Sequence, residues 1–425
     1  MINAIRSLIA AIAAAISVSG GTVPVTASAA QPPAILKLNS VACASPAYCV
    51  AVGQDVTDQR GFAEAWDGSA WRVIPAPDPG SPAALWDVAC YAAGRCLTVG
   101  TYFNASGVGV TLAALWDGSR WRLLSPASPG LADLLDGIAC PSPARCVAVG
   151  ATLASAYQPL AERWDGLRWR ELPSPAPGRS GALTAVACPS AAWCVAVGGL
   201  DAADGTSRTF AALWNGKRWR VLATPPLVRS NLVDVSCDGP ARCVATGYSY
   251  PASAPASGVS QNGEVPGLRV LTEEWDGTAW RLLPFDSPAV SAVDDLHLGV
   301  GIDLGGGATD KAAAAATAGA GADGQLPGVA CGLAAASCLA VGDYIDGAGR
   351  GQTLAGSWDG GSGGGWRVLQ PAYPAGAEAV LTDVACPSPA QCVAVGDYDY
   401  TAGELPFADV WNGRQWRLLT MPDDP

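Results

Sequence analysis

One histidine, three lysines (Lys37, Lys217 and Lys311) and two methionines are all that these residue types contribute to 425 residues, and only 15% of the chain is charged. A solitary His297 leaves a Ser or Cys nucleophile without its usual base and rules out a metal centre built on several imidazoles. The basic residues form neither cluster nor stripe, and a formal net charge of −12 repels phosphate, which excludes nucleic acid and anionic lipid as partners. Long apolar runs are also missing beyond the start of the chain. The run from Leu8 to Val18 is too short to span a bilayer, and with Arg6 before it and Ala27, Ser28, Ala29 and Ala30 after it, residues 1–30 read as a secretory signal. No cysteine follows that run until Cys43, so a lipid anchor has no attachment residue. A soluble exported protein is expected, with no membrane insertion once the signal is removed. Arginine far exceeds lysine, and alanine and glycine are abundant, a composition typical of a GC-rich bacterial genome.

Also missing is any unpaired cysteine. All 14 fall into seven local pairs: Cys43/Cys49, Cys90/Cys96, Cys140/Cys146, Cys188/Cys194, Cys237/Cys243, Cys331/Cys338 and Cys386/Cys392. An even number, an exported chain and fixed spacing predict one disulfide within each repeat. The rival, zinc, needs four convergent ligands, whereas each repeat supplies two and no histidine. Closing so small a loop stabilises by roughly 2 kcal/mol per bridge.

Around each pair the same pattern recurs seven times: an apolar run into the first cysteine, a short turn, Cys-Val-Ala-Val-Gly, a variable stretch, and Trp-Asp-Gly-x-x-Trp-Arg. A repeat of this size is one supersecondary unit that cannot bury its own faces alone. Leu183 to Cys188 reads as a first strand. In the second, Val195 and Val197 lie on one side and Ala196 on the other. Phe210 to Trp214 forms a third strand, the Asn-Gly turn reverses the chain, and Trp219 to Leu222 forms a fourth. The expected architecture is all-β: a seven-bladed β-propeller over residues 31–425, four antiparallel strands per blade. The blades fall at about 35–80, 83–130, 132–178, 181–226, 230–284, 326–374 and 379–422. The tryptophan pairs are expected to pack between blades rather than to form a ligand box. The arginines that follow them (Arg72, Arg122, Arg170, Arg220, Arg281, Arg367 and Arg417) are expected to pair with carboxylates or stack on indole.

This pattern resembles the kelch and galactose-oxidase type of propeller repeat, in which a strand ending in Gly-Gly precedes a Tyr-Asp turn and a later Trp. Gly198 and Gly199 reproduce the double glycine, Trp stands where that family has Tyr, and the cysteine pair is additional. The resemblance implies the fold. It does not carry over copper chemistry, which uses two histidines there.

Low-complexity insertions at 249–268 and 285–325 interrupt the rhythm. Both emerge on the face that also receives the variable loops, where Asp55, Asp58, Tyr102, Phe103, Asn104, Tyr248, Tyr250, Asp343, Tyr344, Asp346, Asp397, Tyr398, Asp399 and Tyr400 lie. The candidate binding residues are Tyr102, Tyr248, Asp343, Tyr344, Asp397 and Tyr398, because aromatic faces stack on sugar rings while carboxylates accept hydroxyl hydrogen bonds or hold calcium. No other cofactor and no metal centre is expected. Gly301 to Asp310 reads like the phosphate loop of actin-like ATPases. It stands in an Ala/Gly-rich insertion without a second nucleotide motif, and so reads as linker.

Three functions fit. The first is a secreted, monomeric binding module that presents variable loops to an extracellular glycan or protein. The second is a carbohydrate-active enzyme, with Asp343, Asp397 and Glu404 as paired carboxylates. The third is a purely structural cell-surface protein. No catalytic constellation is evident in the sequence, which favours the first.

Overall fold

Each repeat folds as predicted, into a four-stranded antiparallel meander. In blade 1 the strands are β1 (Leu36–Ser45), β2 (Tyr48–Asp55), β3 (Arg60–Trp66) and β4 (Trp71–Val73). The computed structural model describes residues 35–175, 180–201, 206–250, 268–286, 324–332, 337–346, 349–360, 365–400 and 403–422. The signal segment, most of both insertions, His297 and the Gly301 to Asp310 run lie outside the described residues. The strands of the other six blades occupy 83–124, 133–171, 180–222, 230–282, 324–369 and 379–419. All seven sheets keep consecutive strand order.

Register explains why the cysteine and tryptophan motifs recur together. Cys43 lies opposite Cys49, Cys49 opposite Trp66, and Trp66 opposite Trp71, so the motif residues form one transverse row across the blade. Cys90, Cys96, Trp116 and Trp121 repeat it in blade 2. In blades 3, 4 and 5 the second cysteines Cys146, Cys194 and Cys243 face Trp164, Trp214 and Trp275 in the same way. All seven disulfides form within their blades, at Cα separations of 4.0–4.1 Å, and no described cysteine is free.

The pairing is as expected, and the bridges also do more than close their own hairpins. Cys49, Cys96, Cys146, Cys194, Cys243 and Cys392 are 0% exposed and Cys338 1%. Each of these second cysteines is a core member of a different interface cluster. They lie on the second strand, which has a sheet neighbour on either side and a blade against each face, so their sulfurs are sealed from solvent. The first cysteines, such as Cys140, Cys188 and Cys237, stay only partly buried at the edge of the same clusters. None of the second cysteines is a surface group open to a ligand. They are packing residues as well as cross-links.

The glycine closing Val-Ala-Val-Gly has a steric cause. The first strand carries a β-bulge, with Asn39 as the extra residue between Leu38 and Ser40 in blade 1. The bulge turns a carbonyl toward the second strand. A Cβ on Gly53 would lie 1.8 Å from the Lys37 carbonyl oxygen, and one on Gly396 would lie 1.9 Å from that of Val380. Any side chain at this position would push the two inner strands apart.

Sheets become a ring through their first strands, each of which contacts the first strand of the next blade, with blade 7 returning to blade 1. Seven buried clusters fill the seven interfaces between blades. Val50 and Val52 of β2 meet Leu85, Cys96 and Trp116 of blade 2, whereas Ala51 faces Val393 and Val395 of blade 7. Period-two alternation therefore feeds two different interfaces, and neither face of a blade is left to solvent. The tryptophan pairs belong to these clusters, as expected. Closure needs no shared strand: Val41 N–H donates to Asp383 Oδ2 (2.9 Å) and Thr382 Oγ1 to the Leu38 carbonyl (2.7 Å). The outermost strands are only three or four residues long, and such short edges offer little template for pairing with another chain.

Candidate functional site

The two ends of the ring differ in how much their chemistry is already engaged. At the end carrying the disulfides and tryptophan turns, Asp67 Oδ1 accepts from the backbone N–H groups of Ser69 (2.9 Å) and Ala70 (3.0 Å) and from Ser69 Oγ (2.7 Å). Gly68 supplies the positive φ of 96° that the turn requires. Hydrogen bonds from turn side chains and backbone hold Asp67, Asp165 and Asp276 down at about 2. Arg170 pairs with Asp165 (3.1 Å) and Arg281 with Asp276 (2.5 Å), which is the carboxylate pairing expected for these arginines. These acids serve the turns.

The opposite end varies from blade to blade. Second strands continue past the repeat glycine, and this corrects one expectation. Tyr102, Tyr248, Asp343, Tyr344, Asp397 and Tyr398 are strand residues rather than loop residues, paired with Ala83, Asn231, Gln325, Gly324, Val380 and Ala379. The first strand begins early enough to pair with them, and a residue with a backbone partner on the ladder no longer counts as loop. Alternation then sends successive side chains into different interfaces. Tyr398 is buried at 5% exposure, edge-on to Phe407 with centroids 6.3 Å apart. Tyr102 and Tyr344 are half-buried and pack against the blade 1/2 and 5/6 clusters. Tyr248 and Tyr250 meet edge to face at 5.6 Å, and burial raises both hydroxyls above the usual tyrosine range.

The acids at this end are engaged by their own polar neighbours. Gln325 Nε2 donates to Asp343 Oδ1 (3.1 Å), and burial pushes Asp343 up to about 6. Lys37 reaches across from blade 1 to Glu404 and to Asp397 (3.7 Å). Burial pushes Asp397 up to about 6 against the pull of Lys37. Burial alone would lower Lys37, yet the Asp397 and Glu404 charges hold it above its ordinary value. Asp55 and Asp58 are engaged by Arg60, and Asp346 by Arg350. Among the described residues, no group of three or more His, Cys, Asp or Glu side chains comes together as a metal site.

Sequence reasoning missed a third set, gathered around the ring axis. Asp87, Asp234 and Asp383 follow the first-strand bulges of blades 2, 5 and 7. Each accepts from the residue after it and from a backbone N–H of the next blade: Ile138 (2.6 Å), Val329 (2.7 Å) and Val41 (2.9 Å). In those next blades the matching position is Gly137, Gly328 or Ser40, small enough to admit the carboxylate. Asp136, at the blade 3 bulge, has a buried Oδ2 without a hydrogen-bond partner. Burial raises all four acids, Asp87 to about 7 and Asp136 to about 8, with like charge across the axis adding to the effect on Asp87, Asp136 and Asp383. An acid inside an otherwise apolar strand, as in Leu85-Trp86-Asp87-Val88, was the available signal.

No family model matches this chain, and no curated protein sequence matches it either. Among solved structures it is similar to YCF48 bound to a D1 peptide, at 13% identity and a TM-score of 0.49 over 89% of this chain and 94% of that one. It is also similar to the β-propeller domain of the Trilobed protease from Pyrococcus furiosus, at 12% identity and a TM-score of 0.48 over 92% and 99%. A third likeness is to the Aleuria aurantia lectin with α-methyl-L-fucoside, at 11% identity and a TM-score of 0.42 over 93% and 99%. The Gly198-Gly199 step has a local cause in this chain: a Cβ on Gly199 would lie 2.3 Å from Asn231 Oδ1 of the next blade.

Proposed function

We propose that the chain is an exported binding module that holds an extracellular glycan on the face where its second strands end. One observation carries this reading. Partly exposed tyrosines, Tyr248, Tyr250 and Tyr344, share that end with the polar groups Asp343, Gln325 and the Lys37–Glu404 pair, spread over blades 5, 6, 7 and 1, and it differs in every blade. The opposite end repeats, and its acids are consumed by turns. Aromatic faces with flanking hydrogen-bonding groups suit sugar rings, whose polar edges and apolar faces need both. Seven disulfides fit an oxidising compartment, and the leader-like residues 1–30 supply the route. As part of the same proposal we group the chain with kelch-type propellers, on its Gly-Gly step and tryptophan turns.

The test is a polysaccharide and oligosaccharide panel probed with disulfide-intact protein and with Tyr248→Ala and Tyr344→Ala variants. Binding without turnover that either variant weakens supports the reading. Silence across the panel, with retention on cell walls or self-association, sinks it in favour of a structural role. A second reading, a carbohydrate-active enzyme, draws on Asp343 and Asp397, each pushed up to about 6 and so able to carry a proton near neutrality. Reducing-end release abolished by Asp343→Asn would establish it.

A further inference from the structure

Basic residues that are scattered along the chain come together at the disulfide end of blades 2, 3 and 4. Both hairpins of a blade end there, and their tips touch. A Cβ on Gly94 would lie 3.3 Å from Gly118 Cα, one on Gly166 3.0 Å from Ala144 Cβ, and one on Gly216 3.4 Å from Ala192 Cα. Blade 2 thereby gathers Arg95 with Arg120 and Arg122, and blade 3 gathers Arg145 with Arg168 and Arg170. Blade 4 adds Lys217, Arg218 and Arg220, and all of these side chains are exposed. The acids among them are Asp117, Asp165 and Glu171, and the two aspartates are held by the backbone of their own turns. In blade 4 Asn215 takes over that role, its Oδ1 accepting from the N–H groups of Lys217 (3.0 Å) and Arg218 (2.9 Å), so the turn is kept and the negative charge is lost. Blade 5 is balanced instead, with Arg242 answered by Asp238 (2.6 Å) and Arg281 by Asp276 (2.5 Å). Among the described residues, Arg95, Arg122, Arg145, Lys217, Arg218 and Arg220 form no ion pair. A chain of formal charge −12 thus carries one positive sector.

Blade 3 adds a further cation in a place that no other blade uses. Arg163 lies directly across the ladder from Arg170. Blade 5 sets Glu274 opposite Arg281, and blades 1, 2, 4 and 7 set Ala65, Leu115, Leu213 and Val410 opposite their arginines. Like charges in directly opposed positions repel. Asp165 pairs with Arg170 from the turn side (3.1 Å) and leaves Arg163 unanswered. On its other side Arg163 lies opposite Val147, a member of the blade 3/4 cluster, which puts it on the flank that faces blade 4. Its Nε is buried and has no acceptor among the described residues. A buried guanidinium N–H without an acceptor is costly, and one oxyanion set between Arg163 and Arg170 removes both the repulsion and the missing bond.

We propose that this sector is a docking surface for a linear polyuronate, an acidic polysaccharide with a carboxylate on each ring, one of whose carboxylates seats between Arg163 and Arg170. The match is of repeat to repeat: each blade offers guanidiniums or an ammonium at the same place, and each sugar unit offers a carboxylate. Guanidinium forks take carboxylates bidentately, and weak contacts along one polymer reinforce each other. Trp193, half-buried at the blade 4 tip beside the Lys217 turn, supplies an aromatic surface suited to a sugar ring. An acidic peptide would dock by adding a strand, and the outer strands here are only three or four residues long. A bilayer surface would need apolar side chains to insert, and the turns of these three blades offer one, Leu167, 89% exposed. The surface lies at the end opposite the variable face and does not depend on the reading of that face.

The experiment titrates the disulfide-intact chain with oligogalacturonate in calcium-free buffer by calorimetry, with neutral dextran, duplex DNA and phosphatidylglycerol vesicles as comparators. Oligogalacturonate should bind and dextran should not, and raising salt from about 50 to about 300 mM should weaken binding roughly tenfold or more. Arg163→Leu installs the residue that blades 2 and 4 carry at this position. It should weaken binding roughly tenfold while the urea midpoint holds or rises, because a like-charge pair is removed; a purely structural Arg163 would lower the midpoint and leave affinity alone. Arg95→Gln combined with Arg145→Gln should also weaken binding, whereas Arg414→Gln in blade 7 and Tyr344→Ala should leave it unchanged. Absence of oligogalacturonate binding at low salt overturns the proposal, as does an Arg163→Leu variant that binds like wild type. Tighter binding to DNA or to vesicles overturns the choice of partner. Binding lost in Tyr344→Ala but kept in Arg163→Leu assigns the polymer to the opposite face and overturns it as well.

Discussion

Glu273→Gln isolates the effect of a carboxyl sealed inside the ring. Glu273 sits in the third strand of blade 5 at 0% exposure. Burial pushes it up to about 8 from 4.5, with Thr209 of blade 4 pulling it partway back. The folded-state value lies above the unfolded one, so the stabilisation is complete below 4.5 and is lost as pH rises through about 8. At about 1.4 kcal/mol per unit, ionising this buried group removes roughly 5 kcal/mol across that window. Glutamine copies the shape of the protonated acid and cannot ionise. Near pH ~5 the variant should match wild type within about 1 kcal/mol, and by pH ~8 it should be the more stable by several kcal/mol. Urea unfolding without reductant, followed by tryptophan fluorescence from about pH 5 to about pH 9, reads the difference curve directly, because the other buried acids are common to both proteins. Parallel curves would refute the reasoning and mean that Glu273 reaches solvent or an unseen cation.

Other expectations follow from the same geometry. Replacing Cys386 and Cys392 together by serine should cost about 2–4 kcal/mol in calorimetry, the loop constraint plus lost burial of Cys392 at 0% exposure, and a change below half a kcal/mol would show that the bridge constrains nothing. Asp383→Ala strips the acceptor from Val41 N–H at the closure between blades 7 and 1. It should accelerate amide exchange at Val41 more than at Ile138, which is held by Asp87, and uniform exchange would deny Asp383 its closing role. Gly53→Ala places a Cβ 1.8 Å from the Lys37 carbonyl oxygen and should destabilise by about 3 kcal/mol in urea midpoints. An unchanged midpoint would mean that the bulge relaxes freely.

Legibility in the sequence followed repetition. The cysteine pairs, the tryptophan turns and the second-strand Val-Ala-Val alternation were readable because each recurs wherever the same local geometry recurs. Spacing predicted that Cys146, Cys194 and Cys243 are bridged, but not that their sulfurs would pack into the interfaces between blades, since burial depends on a sheet that spacing does not describe. The candidate residues past the glycine were chosen for their chemistry and misplaced in loops, because no local signal says that the first strand will extend far enough to pair with Tyr248 or Tyr398. Asp87, Asp234 and Asp383 were passed over because a lone acid in an apolar strand carries no meaning until its neighbour across the interface is known. Glu162, pushed up to about 7 while accepting from Ala127 N–H, was hidden for the same reason.

By itself the sequence determined the blade: strand order, disulfide pairing and the turn chemistry all depend on residues within one repeat, close along the chain. Only the tertiary structure decided what happens between blades. Which side of Ala51 meets which neighbour and where the axial carboxylates find their donors are set by packing one sheet against the next. Those contacts join residues about fifty positions apart, or more than three hundred apart at the closure. Local patterning cannot encode them, because the partner surface exists only once the ring has formed.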